Sequence, residues 1–453
     1  MKDRLNPAQK QRSSAVIRLG QGAGFCLFVV ILAHPAVADR NLVAVLSGIT
    51  VLLATVWLTA RQWPPGPGRG PVVGWLLAAA WLGALFSSAA VHGSWHLQAL
   101  LPPVLSVCLL WIGTHVGRSR RAARTVLLFL LAAAVAAALH AILQHVGLDP
   151  LPRVDEFPRR VVGPFLNPNH LGSLAALALP VALSGFLSLC SRDGAFPSRT
   201  GSAVGAAVLV IYSSLLLAGS RGAIWAAIIG GGVVTCGAIR ALHRQSRRPA
   251  WIPLLLLAAS LAGVTQLLQE RPIMEGPQGE VSVGQRLQAL SNMTGEASKS
   301  DLTVLHRKIL WQAAWNMFAR NPVLGVGPGR YPSTGEQMLV EMAEDPRVAL
   351  LSRLQRLDMP RFAHNEWLHS LAESGLAGTI PWSLLAGLLL AAALASEWTG
   401  SDAIHRGALG ACCAVLTHSL VSYPMYLPAS AGCFWLLLGI LVSTRSAGAL
   451  NLS

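Results

Sequence analysis

The sequence predicts an all-α, polytopic membrane protein with about twelve transmembrane helices and one long helical loop. Only 12% of its 453 residues are charged and 53% are hydrophobic, whereas soluble domains carry about 25% charged residues. Mean hydropathy is +0.52. Apolar runs of about 20 residues, long enough to cross a bilayer, recur along the chain, and lysines and arginines gather between them.

Twelve such runs are predicted as spans. In chain order they cover approximately 20–38, 41–60, 71–91, 96–116, 124–145, 170–190, 203–219, 222–239, 250–268, 376–395, 404–422 and 427–445. The basic N-terminal segment resembles the start of a signal peptide, but no small-residue cleavage site clearly follows it. We therefore interpret the first run as an uncleaved span.

The basic residues predict the orientation. If the N-terminus faces the cytoplasm, 19 of the 35 lysines and arginines lie in cytoplasmic segments and 5 in short connections on the outer side. The other 11 lie in the loop 269–363, and loops of that length are largely exempt from the positive-inside rule. Both termini are thus predicted to be cytoplasmic. Because topology explains most of the net charge of +15, nucleic-acid binding is not expected.

The spans and the loop divide the chain into three parts: transmembrane helices 1–9 (1–268), an outer loop domain (269–363), and a C-terminal part with the last three spans (364–453). The loop has apolar residues at helical spacing from Leu302 to Ala319, followed by a Gly- and Pro-rich turn at 321–329. A long loop with structure of its own is typically functional.

The stretch 361–378 concentrates polar and ionisable residues directly before the tenth span. Read as a helix, it places His364 on one stripe, and Glu366, His369 and Glu373 on another. His364 could be a buried structural histidine, a metal ligand, or a general acid or base suited to neutral pH. The spacing Glu366-x-x-His369 occurs in di-iron bundles, but no second motif of this kind accompanies it.

Two arginines on the predicted outer side are candidate phosphate ligands. Arg221 lies in a turn of small residues between the seventh and eighth spans, and Arg307 opens the segment that contains Trp311 and Trp315. A guanidinium offers a planar set of donors that suits phosphate oxygens. The alternatives are an interfacial anchor for Arg221 and a solvated surface cation for Arg307.

Weaker candidates accompany these residues. Lys308, Arg286 and Arg320 are cations of the same kind as Arg307. Asn169 is predicted to cap the sixth span, although either it or His170 could also touch a substrate. Asn365, next to His364, is a further candidate substrate contact. The glycines at 325–329 are interpreted as a turn, since no Lys-Ser/Thr follows them and no strand precedes them.

In combination these features resemble the bacterial O-antigen ligase family, over roughly residues 160–440. The pieces that carry the resemblance are the long outer loop between spans nine and ten, Gly219-Ser220-Arg221-Gly222, Arg307-x-x-x-Trp311 leading into Pro322-Val323-Leu324-Gly325-Val326-Gly327, and Ala363-His364-Asn365 to Glu373-Ser374-Gly375-Leu376-Ala377-Gly378.

The resemblance implies a GT-C-like glycosyltransferase of the bacterial inner membrane that needs no metal or other cofactor and has its active site at the periplasmic face. It would transfer a glycan from undecaprenyl diphosphate to a hydroxyl of lipid A–core. His364 would be the catalytic histidine, and Arg221 and Arg307 the essential arginines.

Chemistry agrees with this assignment. A general base would deprotonate the acceptor hydroxyl, and fixed cations would stabilise charge on the leaving diphosphate. No Asp-x-Asp-type pair is evident near the outer face to hold a divalent ion. Related enzymes that use the same donor remain alternatives: an O-antigen polymerase, or a protein O-oligosaccharyltransferase, which the patch Asn167-Pro168-Asn169-His170-Leu171 also resembles. A transporter is disfavoured because the span centres are nearly free of charge.

Overall fold

The computed structural model describes residues 69–149, 160–193, 198–244, 251–276, 279–288, 302–354, 357–397 and 402–449. The predicted spans at 20–38 and 41–60 lie outside the described residues. Within these ranges the regular secondary structure is helical apart from one two-stranded hairpin, which confirms the predicted all-α fold class.

The elements follow the order of the predicted spans, with the loop domain inserted after the ninth. The helices are α1 (Arg69–His92), α2 (Leu97–Val116), α3 (Arg120–His145), α4 (Pro168–Asp193), α5 (Arg199–Ala218), α6 (Arg221–Arg244), α7 (Trp251–Leu268), α8 (Val283–Gln288), α9 (Leu302–Arg320), α10 (Tyr331–Glu341), α11 (Pro346–Arg353), α12 (Glu366–Glu397), α13 (Ala403–Ser419) and α14 (Pro428–Ala449). The strands β1 (Pro272–Gly276) and β2 (Gly279–Ser282) precede α8.

Seven of these helices, α1–α6 and α12, are long and apolar enough to cross a membrane. The apolar segments Ile252–Leu268 in α7 and Pro428–Ser443 in α14 are shorter, and α13 has 17 residues. The protein is therefore a multi-pass membrane protein. The number of twelve spans stays a prediction.

Glycines at two crossings set the closest approaches between helices. A Cβ at Gly230 of α6 would lie 2.5 Å from the carbonyl oxygen of Gly410 of α13, and one at Gly113 of α2 would lie 2.3 Å from that of Leu436 of α14. Small residues allow such backbone contact between membrane helices. Helices α4, α6 and α13 consequently form one mutually packed group, while α2 packs along α14 and α1 along α12.

Helix α12 includes polar residues that precede the predicted start of the tenth span. It begins at Glu366, ten residues before the predicted boundary at 376, and its backbone is broken at Gly375 (φ 59°, ψ −160°). A Cβ at Gly375 would lie 2.3 Å from the Val323 carbonyl oxygen, so only glycine fits there. The predicted start of the span at 376 therefore coincides with the kink, where a polar helical segment meets the apolar one.

The loop at 321–329 fills this break. Its backbone replaces the helical hydrogen bonds that are lost at the kink. Four bonds join loop and helix: Val326 N–H to Ala372 O (2.8 Å), Gly327 N–H to Glu373 O (3.0 Å), Leu376 N–H to Pro322 O (2.8 Å) and Ala377 N–H to Val323 O (3.0 Å). The predicted turn is thus also a structural part of α12.

The front of the loop domain contains the hairpin β1–β2, which sequence analysis did not predict. The strands are antiparallel and have an irregular register between Pro272 and Met274, and the short, Gly-rich segment lacks the alternation that marks a strand. Ile273 is buried, and its Cδ1 would lie 2.5 Å from a Cβ at Gly219. The hairpin therefore fixes α8 beside the turn between α5 and α6.

The remaining described part of the loop domain contains the helices α9, α10 and α11. Helix α9 spans Leu302–Arg320, close to the expected 302–319, and packs against α10 and α12. Tyr331, the first residue of α10, is fully buried and donates its hydroxyl to the Leu310 carbonyl (3.1 Å). These contacts hold α9, with Arg307, against the beginning of α12.

Candidate functional site

The site is built around the turn between α5 and α6. Helix α5 ends at Ala218, Gly219 adopts a left-handed conformation (φ 61°), and α6 begins at Arg221. Arg160 donates to the Ala218 carbonyl through Nε (3.2 Å) and Nη2 (2.6 Å), and Arg286 donates to the Gly219 carbonyl through Nε (3.2 Å). Cations at a helix C-terminus are favourable, so two arginines hold the turn that carries Arg221.

Four guanidinium groups lie close enough to interact here. Burial lowers the pKa of Arg160 to about 9, with further lowering by the positive charges of Arg286, Arg307 and Arg221. Arg221 is only 8% exposed, and it is the first residue of α6, where backbone N–H groups and the helix dipole favour an anion. The structure therefore brings Arg221 and Arg307 to one cationic site and adds Arg160 and Arg286.

His364 lies beside this cationic site, in the connection before α12 and not within a helix. The predicted helical stripe through His364 is therefore wrong, whereas Glu366, His369 and Glu373 do lie in α12. His364 has a positive φ of 54°, a conformation that costs a residue with a Cβ about 1–2 kcal/mol. Left-handed non-glycine residues are enriched at functional sites.

The imidazole of His364 is kept neutral by its surroundings. Burial is the main cause that lowers its pKa to about 3, followed by the charge of Arg307 and smaller contributions from His306, His170 and His418. Its Nδ1 is buried, with no hydrogen-bond partner among the described residues. A neutral imidazole with a ring nitrogen left to accept a proton is the form that a general base requires.

Three residues that sequence analysis missed belong to the same site: Arg160, His418 and Tyr423. The ring of Tyr423 meets His364 edge-on (centroids 4.9 Å apart, 70° between planes) and also lies near His170 (6.0 Å). His418 lies near the end of a predicted span and Tyr423 directly follows that span, as His364 precedes one. Polar residues at the ends of apolar runs are the signal that could have found both.

His418 is held in one orientation by α4. Its Nδ1 lies 3.0 Å from Ser173 Oγ, whose hydroxyl donates to the Asn169 carbonyl (2.8 Å). Since that hydroxyl has only one proton, Nδ1 of His418 is the donor and Nε2 is the acceptor. The ring packs against Gly222 at the start of α6, where a Cβ would lie 3.1 Å from it.

The weaker candidates occupy different positions. The N-cap of α4 is Asn167 and not Asn169, because Pro168 takes the first helical position and the Asn167 Oδ1 accepts from the Asn169 N–H (2.8 Å). Asn365 caps α12: its Oδ1 accepts from Leu368 N–H (3.0 Å), and its Nδ2 donates to the Leu420 carbonyl (2.9 Å). Lys308 is exposed on α9.

A cavity also lies at the start of α12. It measures about 540 Å³ including its opening to solvent, and Glu366 and Glu373 are among its lining residues. Among the described residues, no three His, Cys, Asp or Glu side chains form a group that could hold a metal ion. Independence from metals stays a prediction.

Comparison with known protein families supports the resemblance. Residues 205–383 match the O-antigen ligase family. The resemblance predicted from the sequence is thereby confirmed for this region. The O-antigen ligase region includes Arg221, Arg307 and His364, whereas Arg160 and Tyr423 lie outside it. Comparison with curated proteins gives no match.

Proposed function

We propose that the protein is an O-antigen ligase that transfers a polysaccharide from undecaprenyl diphosphate to lipid A–core at the periplasmic face of the inner membrane. The observation that carries the proposal is the cationic site that contains Arg221 and Arg307 and acts on His364 through Arg307, inside the region that matches the O-antigen ligase family. We further propose twelve spans, cytoplasmic termini and a GT-C-like arrangement, with the three-part division at 268 and 363.

The cationic site suits the donor diphosphate. Arg221 and Arg307 would contact its oxygens, and the N-terminus of α6 would add backbone donors. As the anomeric C–O bond breaks, negative charge grows on the departing diphosphate, and fixed guanidinium groups stabilise it without reorganisation. Arg160 and Arg286 would act by holding the turn through Ala218 and Gly219.

His364 would take the proton of the acceptor hydroxyl. The acceptor oxygen forms the new bond to the anomeric carbon, the bond to the donor phosphate breaks, and undecaprenyl diphosphate leaves with the electron pair. Attack opposite the leaving group inverts the anomeric configuration. Lys308, Asn169 and Asn365 are retained as candidate substrate contacts, the last with a structural role as the cap of α12.

The proposal is tested by reconstitution with purified undecaprenyl-linked glycan and lipid A–core. His364→Ala is expected to lose about 10²–10⁴-fold in turnover, and Arg221→Ala or Arg307→Ala about 10²–10³-fold. Arg320→Ala is the matched control, because Arg320 is exposed on the same helix as Arg307 and pairs with Glu341. Near-full turnover by His364→Ala would contradict the mechanism.

A protein acceptor is a second candidate, favoured by the position of His170. Its patch resembles the protein O-oligosaccharyltransferases, and its ring lies beside Tyr423 at the site. Replacing lipid A–core by pilin in the same assay separates the two. Transfer to a pilin Ser or Thr, with none to lipid A–core, would favour the protein acceptor, and extension of the donor glycan alone would indicate a polymerase.

A further inference from the structure

His369 is a buried imidazole in the first turns of α12, with only 1% of its surface exposed. Its Nδ1 accepts a long hydrogen bond (3.4 Å) from the backbone N–H of Ala363, the residue directly before His364. Because Nδ1 accepts this bond, the ring proton lies on Nε2. Nε2 in turn lies 3.5 Å from the Glu373 Oε2, one helical turn further along.

Glu373 is fixed independently of His369. Its other carboxylate oxygen, Oε1, accepts from the Tyr331 N–H (3.1 Å), and its backbone carbonyl accepts from Gly327 N–H (3.0 Å) in the loop that fills the α12 break. The loop domain therefore sets the position of the carboxylate, and the carboxylate sets the tautomer of His369.

Aromatic rings enclose His369 on several sides and leave it little freedom to rotate. The ring centroids of Tyr331, Phe362 and Tyr426 lie 4.9, 5.4 and 4.6 Å away, respectively. An imidazole confined in this way presents its Nδ1 to Ala363 in a fixed direction.

The backbone at His364 needs such support, because its φ of 54° is unfavourable for a residue with a Cβ. On the following side, Asn365 is anchored as the cap of α12 and to the Leu420 carbonyl. On the preceding side, the Ala363 N–H donates to Nδ1 of His369. The two anchors bracket His364.

We propose that His369, oriented by Glu373, is a positioning residue that holds the Ala363 N–H and thereby keeps His364 in its left-handed backbone conformation. The part of this inference that concerns turnover rests on the proposed function. The part that concerns the accessibility of His364 can be measured without any substrate.

Two substitutions at His369 separate hydrogen bonding from packing. In His369→Asn, Oδ1 takes nearly the place of Nδ1 and still accepts from Ala363, so kcat is expected to stay within about threefold of the wild type. In His369→Phe, ring volume is kept and both nitrogens are lost. We expect kcat to fall about tenfold or more while KM for the donor stays within about twofold, because misplacing the base affects the chemical step and not donor binding.

A double-mutant cycle tests the role of Glu373. In Glu373→Gln, the remaining oxygen can serve the Tyr331 N–H, which turns the amide NH₂ toward Nε2–H of His369 and disfavours that tautomer. Glu373→Gln should therefore lower kcat about fivefold or more in the wild type, and by less than about twofold in the His369→Asn background. Additive effects of the two substitutions on kcat would overturn the proposal. Because the cycle does not use His369→Phe, this test remains valid even if that variant fails to fold.

Labelling of His364 with diethyl pyrocarbonate gives the readout that does not depend on activity. Followed by mass spectrometry at pH 7, the modification rate of His364 should rise about threefold or more in His369→Phe and stay near the wild-type rate in His369→Asn.

His405→Phe is the control for loss of a buried imidazole. His405 contacts the Ala393 carbonyl (3.1 Å), roughly 35 Å along α12 from His369 at 1.5 Å per residue, and its substitution should leave the labelling of His364 unchanged.

The outcomes separate the two proposals. If the wild type transfers no glycan but the labelling pattern holds, the proposed function fails and the positioning role stands. If His369→Phe folds, keeps the wild-type kcat and leaves the labelling of His364 unchanged, the positioning role is wrong, whatever the wild-type activity.

Discussion

The contribution of Arg307 to the low pKa of His364 can be measured. The pKa of His364 lies at about 3 against an ordinary 6.5, a difference of 3.5, with burial as the larger cause and Arg307 as the strongest charge. All the causes act in the same direction. Because burial contributes more than Arg307, the guanidinium accounts for less than half of the difference.

The informative perturbation is Arg307→Gln, with Arg307→Lys as the variant that retains the charge. Removing a nearby cation makes protonation easier, so the pKa of His364 rises and its neutral fraction at mildly acidic pH falls. At pH 4.5, wild-type His364 should be about 97% neutral. Since Arg307 supplies less than half of the lowering, Arg307→Gln should leave at least roughly a third neutral at that pH.

Diethyl pyrocarbonate reads this fraction, because only a neutral imidazole reacts. We would measure the rate of modification of His364 by mass spectrometry from pH 4.5 to 8, with N-acetylhistidine in the same tube to correct for the reagent. The corrected rate should be flat for the wild type and Arg307→Lys, and should fall at the acidic end for Arg307→Gln. An inflection near pH 6.5 in the wild type would refute the argument from burial.

Other expectations concern stability and turnover. Gly375→Ala should destabilise the protein by more than about 2 kcal/mol in a thermal unfolding assay, because Gly375 has a positive φ and a Cβ there would clash with the loop. Gly387→Ala is the control: a Cβ there meets open space, so the change in stability should stay within about 1 kcal/mol. Arg160→Lys keeps a charge but loses the two hydrogen bonds to the Ala218 carbonyl. The KM for the donor should therefore rise with little change in folding. An unchanged KM would argue against the role of Arg160 in holding the turn. EDTA should leave glycan transfer intact, and restoration of a lost activity by Mg²⁺ would contradict the metal-independent mechanism.

Much of the fold was predictable because hydropathy determines where helices must lie in a membrane. All ten predicted spans within the described residues correspond to helices whose ends lie mostly within a few residues of the expected positions. Hydropathy does not reveal the first turns of α12, since residues 366–374 are helical but polar. It does not reveal the hairpin at 272–282 either. That segment has no alternating strand pattern, and its Ile273 makes a tertiary contact with Gly219.

Residues of the site were predictable only where an ionisable side chain stands beside an apolar run. Arg221, Arg307 and His364 stood out as ionisable groups beside apolar runs, and the structure brings them together. In the sequence Arg160 is one charge in a short connection, and His418 falls within a predicted span. Their roles depend on the packing of α4, α6 and α13, which places the ends of distant segments side by side and cannot be derived from spacing along the chain.

The low pKa of His364 has a consequence for the proposed reaction. A base with a pKa of about 3 is neutral at every physiological pH but takes a proton only weakly. A diphosphate bound between Arg221 and Arg307 would offset their positive charge and raise the pKa of His364, so the base would be stronger when the donor is present. The acidic limb of kcat, which reports the enzyme–substrate complex, should therefore lie at higher pH than that of kcat/KM, which reports the free enzyme. Coincident limbs would mean that the donor does not bind beside His364. A limb in kcat/KM that His364→Gln leaves unmoved would belong to another group.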